Sequence, residues 1–365
     1  MPTPPRIFGA PRRYIQGPGA FDRLGEVLAL YRAPVLVVAD EVVAGMLGPR
    51  LEAQLAGLEA RLVPFSGEIT LARLDAMAQA ARDLAPAACV GIGGGKALDV
   101  AKGIARRLGA GVVTVPTIAS NDSPTSATAA IYDENHQLAA IERIDHNPDT
   151  VIVDTALIAA APVGFLLAGI VDAIAKKFEA DGCRAGSGVT PFGTRPLLTA
   201  GLIADGCYAT LIRHGRAAVA DVRAGRATED VEAVVEATLL MSGLGFENGG
   251  LSLAHSLTRG LTRHPATKNA IHGHHISWGT LVQLAHEEAG PAAMAELAGF
   301  LADIGLPVSL RDLGLAAPTA QDVALIAEGT MTAPHLANLA HPASRESVVA
   351  AIEAAETFVA EGRHR

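Results

Sequence analysis

The chain has 365 residues with 38 acidic and 29 basic side chains, a formal charge of −9 that argues against nucleic acid as a general partner. Half the residues are hydrophobic and only 4% aromatic, which suits a packed, helix-rich enzyme, and the length exceeds what one core usually organises, so two domains are expected. Cys89, Cys183 and Cys207 form no CxxC pair, which speaks against a disulfide framework or a zinc knuckle. The N-terminal stretch MPTPPRIFGAPRRYIQG has no apolar secretory segment. The apolar run Thr155–Val171, broken by Pro162 and Gly164 and closed by Asp154 and Asp172, reads as a buried helix rather than a membrane span. A soluble cytoplasmic protein with no membrane partner is the expectation.

In the first half, APVLVVAD ends at Asp40 and reads as a strand buried on both faces, followed by a helix over Val42–Leu58. A strand at Arg61–Phe65 and a helix at Leu71–Leu84 come next, then AACVGIGGGKALDVAKGIARRLG and a strand at Gly111–Val115. This alternation predicts an α/β domain with a parallel sheet. At its centre a strand runs into Gly93, Gly94, Gly95 and Lys96 and then into a helix bearing Asp99 and Lys102. Glycines there let backbone N–H groups approach an anion at a helix N-terminus, so phosphate binding is preferred over a mere tight turn. The loop is not a Walker motif, because Ala97 follows the lysine, and it meets the GxGxxG pattern only in part. Asp40 is placed either to hydrogen-bond a ribose hydroxyl, favouring NAD over NADP, or simply to cap the next helix.

The segment Pro116–Ser126, PTIASNDSPTS, is rich in hydroxyl and carboxamide groups and stands at a strand's carboxyl end, where open α/β sheets bind ligands. Asp122 and Ser126 are candidate contacts there, with Asx and Ser turns as the plainer alternative. Ile131-Tyr132 and the turn Asp133-Glu134-Asn135 suggest a hairpin, and Val151–Val153 reads as one more buried strand. The domain boundary falls at Ala161-Pro162, giving residues 1–162 and 163–365.

Beyond it helices dominate: 163–181, 196–214, 228–244, 292–304, 320–330 and 344–358. Asp172 stands among apolar neighbours on the first, where either a metal or an ion pair with Lys176 at i+4 would offset its burial. Residues 250–284 hold His255, His264, His272, His274 and His275. His255 and His272, on two helix-like segments joined through Pro265, are the candidate ligands; His264, His274 and His275 are expected at the surface. One Asp and two His form an N₂O set, the pattern of an open catalytic zinc site rather than a closed structural one.

Taken together, YIQGPGAFDRLGE, GIGGGKALDVAK, VPTIASNDSPTSA, AGIVDAIAKKFEA, GFENGGLSLAHSL and HGHHISWGTLVQL resemble the glycerol dehydrogenases of the iron-containing, metal-dependent alcohol dehydrogenase superfamily over nearly the whole chain. The resemblance implies a Rossmann-like NAD-binding α/β domain, an all-α metal-binding domain and a cleft between them. It implies a homo-octamer and the oxidation of a secondary hydroxyl of glycerol or a related small polyol to the ketone. Carried over by motif, the metal ligands are Asp172, His255 and His272, and Asp122 is the substrate-contacting acid. Gly93, Gly94, Gly95, Lys96 and Asp99 lie on the pyrophosphate and nicotinamide side; Thr117, Ser120, Ser126 and Tyr132 are further cofactor contacts, with Asp40 at the adenosine ribose. The iron-bearing branch places a histidine four residues after the aspartate; Lys176 stands there, so zinc fits better than iron. Thr258 and Arg259 replace the His and Asn of the family's AHxxHNG, and His274 and His275 replace Glu and Lys of its HGEK, which leaves the substrate open. The expected chemistry is Lewis-acid activation of a hydroxyl by the metal and hydride transfer to nicotinamide C4. The alternatives are a dehydrogenase acting on a hydroxy acid, phosphorylated polyol or cyclitol, a lyase of the dehydroquinate synthase type, and a non-catalytic NAD-binding protein.

Overall fold

The structure, a computed structural model, describes residues 4–133 and 138–362. Part of the expected turn, Glu134-Asn135, lies outside the described residues. The chain divides into two compact units: residues 9–166 with 221–243, and residues 1–8, 167–220 and 244–365.

The first unit holds β1 (Tyr14–Gly17), α1 (Leu24–Ala29), β2 (Val35–Asp40), α2 (Glu41–Leu55), β3 (Ala60–Phe65), α3 (Leu71–Ala80), β4 (Ala88–Gly93), α4 (Gly95–Leu108) and β5 (Gly111–Pro116). The hairpin β6 (Thr128–Tyr132) and β7 (Leu138–Arg143), then β8 (Thr150–Asp154) and α5 (Thr155–Ala160), complete its first segment. Six strands form one parallel sheet in the order β1-β8-β5-β4-β2-β3. Alternate residues explain its two-sided burial: Val35, Val37 and Ala39 pack with Phe21, Leu24 and Leu28, whereas Leu36 and Val38 pack with Val100, Ala101 and Ile104 of α4. Because β2 leads outward to β3 and β4 leads the other way to β5, the chain's direction across the sheet reverses between β2 and β4. Asp40 and Gly93 end those two strands, so they stand at the position where such sheets receive ligands.

Two sequence expectations need correction here, and one strand is new. The helix after Asp40 ends at Leu55 rather than Leu58 and kinks at Gly48, because Pro49 lacks the N–H that would continue the ladder. The helix from Leu71 stops at Ala80 and tightens into a 3-10 turn over Arg82–Leu84. Edge strand β1, too short for a periodic signal, was not anticipated; it pairs with β8 from Tyr14 opposite Val151 to Gly17 opposite Asp154.

After the sheet come α6 (Val163–Ala185), α7 (Leu198–Arg223), α8 (Glu229–Glu236), α9 (Ser242–Gly249), α10 (Leu253–Leu261), α11 (His272–His286), α12 (Pro291–Ile304), α13 (Ala320–Thr330) and α14 (Arg345–Gly362). The segment read as one helix over 228–244 is α8, a π-helical turn at Ala237–Met241 and then α9. Helix α8 belongs with the sheet: the Gln16 side chain donates to the Glu232 carbonyl at 3.0 Å and to its carboxylate at 2.7 Å. The apolar run Thr155–Val171 is divided between α5 and α6 at Ala161-Pro162, and among the described residues no helix is long and apolar enough to cross a membrane.

Candidate active site

Within the helical unit, Asp172 on α6, His255 on α10 and His272 at the first position of α11 converge. One donor atom from each lies within 4.8 Å of the other two. Asp172 Oδ1 stands 3.1 Å from His255 Nε2 and 3.9 Å from His272 Nε2. Ligand atoms about 2.1 Å from a tetrahedral ion sit roughly 3.4 Å apart, so these separations bracket what such an ion needs. The Asp172 side chain is 5% exposed, whereas that of His272 is 57% exposed, which opens one side of the cluster to solvent. Glycine follows His272 for a steric reason: a Cβ at Gly273 would come within 2.7 Å of Ala168 Cα on α6, so only glycine lets α11 begin this close to α6.

The cluster is braced by a residue that the sequence reading missed. Glu179, two turns after Asp172 on α6, is fully buried, and its Oε1 accepts the backbone N–H groups of Ser252 at 2.8 Å and His255 at 3.1 Å. A carboxylate from α6 thus caps α10, whose own Ser252 supplies no side-chain cap. Its Oε2 lies 2.7 Å from His255 Nδ1, which directs Nε2 toward Asp172. Burial alone would lower the His255 pKa, but Glu179 and the hydrogen bond to Asp172 outweigh it and raise it to about 9. Burial likewise tends to raise the Asp172 carboxyl, yet Lys176 and the two histidines hold it well below the usual range. Lys176, buried one turn along α6, donates to Asp172 Oδ1 at 3.0 Å and lies 3.3 Å from His255 Nε2. The ion pair with Lys176, the alternative to a metal at Asp172, is therefore present in the same cluster as the two histidines. The donor set, its spacing and the carboxylate behind His255 together fit a divalent ion.

The remaining histidines need correction. His264 and His275 are buried rather than at the surface, because each has a polar partner inside. His264 Nε2 lies 3.1 Å from Asp322 Oδ1 while its Nδ1 accepts the Ala266 N–H, and His275 Nε2 lies 2.8 Å from the Thr267 carbonyl. His274 is half-buried. Of the other departures from the family pattern, Thr258 donates to the His255 carbonyl at 2.6 Å and Arg259 to the Thr332 carbonyl at 3.1 Å. Those bonds stabilise α10 and its surroundings.

In the sheet unit, the glycine run forms a cradle at the carboxyl end of β4. Gly93 has φ of 140°, outside the range of L side chains, and a Cβ there would lie 2.8 Å from Asp40 Cβ. A Cβ on Gly95 would meet the Asn121 carboxamide at 3.0 Å. No side chain caps the start of α4, so its first N–H groups remain available to an anion. Asp40 Oδ1 accepts the N–H groups of Val42 and Val43 at 3.0 and 3.1 Å, which is the helix-capping role. Lys96 pairs with Glu68 and stands 5.9 Å from the Tyr132 ring centre. Asp99 is tied inward, accepting Lys102 Nζ at 2.9 Å, Ser123 Oγ at 2.6 Å and the Ala130 N–H at 3.0 Å, and so fixes the loop after β5 to α4. The Thr117 N–H donates to the Gly93 carbonyl at 3.1 Å, and Ser126 Oγ accepts from Thr128. Ser120, Asp122 and Tyr132 are half-buried around the same strand ends.

Comparison with known proteins settles the lineage. Residues 11–155 match the iron-containing alcohol dehydrogenase family. Glycerol dehydrogenase of Escherichia coli O6:H1 is 35% identical over 97% of each chain. The chain belongs to the glycerol dehydrogenases of that family. It is accordingly an oxidoreductase of the alcohol dehydrogenase type. Glycolaldehyde reductase of Halobacterium salinarum is 39% identical over 88% of this chain and 89% of its own. The crystal structure of glycerol dehydrogenase from Schizosaccharomyces pombe superimposes with a TM-score of 0.91 at 31% identity, covering 98% of this chain and 92% of that one. The family fold expected from the motifs, a parallel α/β unit with a helical one, is the fold observed.

Proposed function

We propose that the protein oxidises a secondary hydroxyl of glycerol or a related small polyol to the ketone, using NAD and one divalent metal ion. The observation that carries the reading is the convergence of Asp172, His255 and His272 in a chain 35% identical to a glycerol dehydrogenase along its length. Residues 163–365 would carry the metal and 1–162 the cofactor, although the compact units place 221–243 with the sheet and 1–8 with the helices. A bound ion would supply Lewis acidity to a substrate hydroxyl, and NAD would supply the hydride acceptor.

The protein's own contribution is position and charge. Asp172, His255 and His272 would hold the ion, and Glu179 keeps the His255 ring turned toward it. Gly93, Gly94 and Gly95 would admit the cofactor's pyrophosphate to the N–H groups of α4, with Lys96 beside it. Asp40 would meet the adenosine ribose and favour NAD over NADP. Thr117, Ser120, Ser126 and Tyr132 would line the rest of the dinucleotide, Asp99 would order their loop, and Asp122 would contact the polyol. The ion is proposed to be zinc, since three protein ligands leave an open position and Lys176 stands where the iron-bearing branch has histidine. By the same resemblance the chain is proposed to work in the cytoplasm as a homo-octamer.

The test is NAD reduction with glycerol, propane-1,2-diol, glycerol phosphate, hydroxy acids and cyclitols, with metal content measured on the same sample. NADH formed from glycerol or propane-1,2-diol by protein carrying about one ion per chain is the expected result. Turnover undiminished in protein verified as metal-free would overturn it. The similarity to a glycolaldehyde reductase favours a second reading, reduction of a small hydroxyaldehyde with NADH. Faster NADH consumption with glycolaldehyde than with dihydroxyacetone would select it.

A further inference from the structure

Lys176 is a buried cationic side chain that meets two members of the proposed ligand set. Its ammonium lies 3.0 Å from Asp172 Oδ1 and 3.3 Å from His255 Nε2, and the same Asp172 oxygen stands 3.9 Å from His272 Nε2. The side chain is 1% exposed, so its charge requires a buried counter-charge, and Asp172 one helical turn away supplies it. A divalent cation at Asp172 and His255 would stand within a few ångströms of this ammonium, where like charges repel strongly in a poorly hydrated setting. The ammonium also has somewhere to go. The Phe246 ring centre is 5.9 Å from Nζ, and an aromatic face attracts a cation. Lysine's flexible stem can shift the charge toward that face without moving the helix.

We propose that Lys176 is a resident counter-ion of the metal site. Its ammonium holds Asp172 in ligand geometry while no metal is bound, and it must move aside, toward Phe246, when a divalent ion arrives. The inference rests on the reading of Asp172, His255 and His272 as metal ligands. Two consequences follow from the charge alone. The metal-free protein keeps its site assembled, because Asp172 is never a buried unpaired carboxylate. The ion binds more weakly than it would to the same three ligands beside a neutral side chain.

The experiment uses full-length protein stripped of metal with a chelator, as wild type, Lys176→Met and Lys176→Gln. Zinc affinity is measured by competition with a chromogenic chelator, and thermal unfolding is followed with and without zinc. The expected result is zinc bound at least about 10-fold tighter by both variants, a lower melting temperature for each metal-free variant, and a larger rise on adding zinc. Gln retains a hydrogen bond to Asp172 without the charge, so it serves if Met prevents folding in the absence of metal. Unchanged or weaker zinc affinity in the folded variants would overturn the inference. Asp172→Asn separates this failure from that of the underlying reading. Zinc held by wild type and lost in Asp172→Asn, with Lys176→Met equal to wild type, sinks only the counter-ion role. No zinc uptake by wild type sinks both.

Discussion

The glycine cradle after β4 and the Asp172 cluster are built from opposite materials. The cradle is made of backbone: Gly93 to Gly95 expose N–H groups at the start of α4, and the side chains nearby mostly serve each other, as Asp99 does with Lys102 and Ser123. The cluster is made of side chains from α6, α10 and α11, held by a fully buried glutamate behind them. A backbone site depends on what is absent, namely Cβ atoms. A side-chain site depends on what is present and on its charge balance. The two should therefore fail differently when mutated.

The largest effect is expected from Asp172→Asn or His255→Ala, which should cut polyol-dependent NADH formation by roughly 10³-fold or more while leaving NAD binding intact. Stopped turnover with unchanged NAD titration is the signature; turnover near wild type would show that the cluster is structural. Next comes Gly93→Ala, which forces a side chain into φ of 140° and against Asp40. A strain of about 1–3 kcal/mol expressed at the cradle should weaken NAD binding by about 10–100-fold with metal content unchanged. Loss of zinc together with NAD in that variant would break the separation of the two sites. Glu179→Gln should lower zinc affinity by about 10-fold, since the bond that turns His255 loses its charge, and fluorescence titration should show NAD affinity unaltered.

The smallest effect belongs to a control outside both sites. Asp322 forms the capping box of α13 with Thr319 and also meets His264. Its bonds to the Thr319 side chain and backbone, and then His264, lower its pKa to about 2. A depressed carboxyl contributes stability that is complete above the ordinary aspartate pKa and is lost as the pH falls through the lowered one. The melting temperature of Asp322→Asn should accordingly lie below wild type at neutral pH, and the gap should close between about pH 4 and pH 2. Activity and metal content should not change.

The same contrast explains what could be read from the sequence. A backbone site is contiguous, so GIGGGK revealed the cradle by itself, and the buried strands around it showed as apolar runs. The ligands were legible only in part. His255 and His272 stood out by composition and Asp172 by its apolar neighbours, which suggested an N₂O set, but helix periodicity does not say which helices touch, and the family pattern was what carried the three over as ligands. Glu179 gave no signal, since a glutamate near the end of a charged helical segment looks solvated until α10 is placed over it. His264 and His275 were misjudged for a related reason: their partners, Asp322 and the Thr267 carbonyl, come from the way the chain folds back. Pro49 marks the kink in α2, which the reading of one helix over Val42–Leu58 passed over, whereas the π-helical turn at 237–241 has no local signature in the residues that form it.

Helix α6 carries Asp172, Lys176 and Glu179 at spacings of four and three residues, which places all three on one narrow face. Each residue of a helix turns about 100° from the last. Losing or gaining a single residue between 172 and 179 would therefore swing one carboxylate about 100° around the helix, off the shared face, while leaving the other in place. The stretch 262–271, which joins α10 to α11, follows no such ruling. A length change there leaves Asp172 and Glu179 in register with each other, whereas the eight residues Asp172–Glu179 can be replaced only one for one if both carboxylates are to stay on one face.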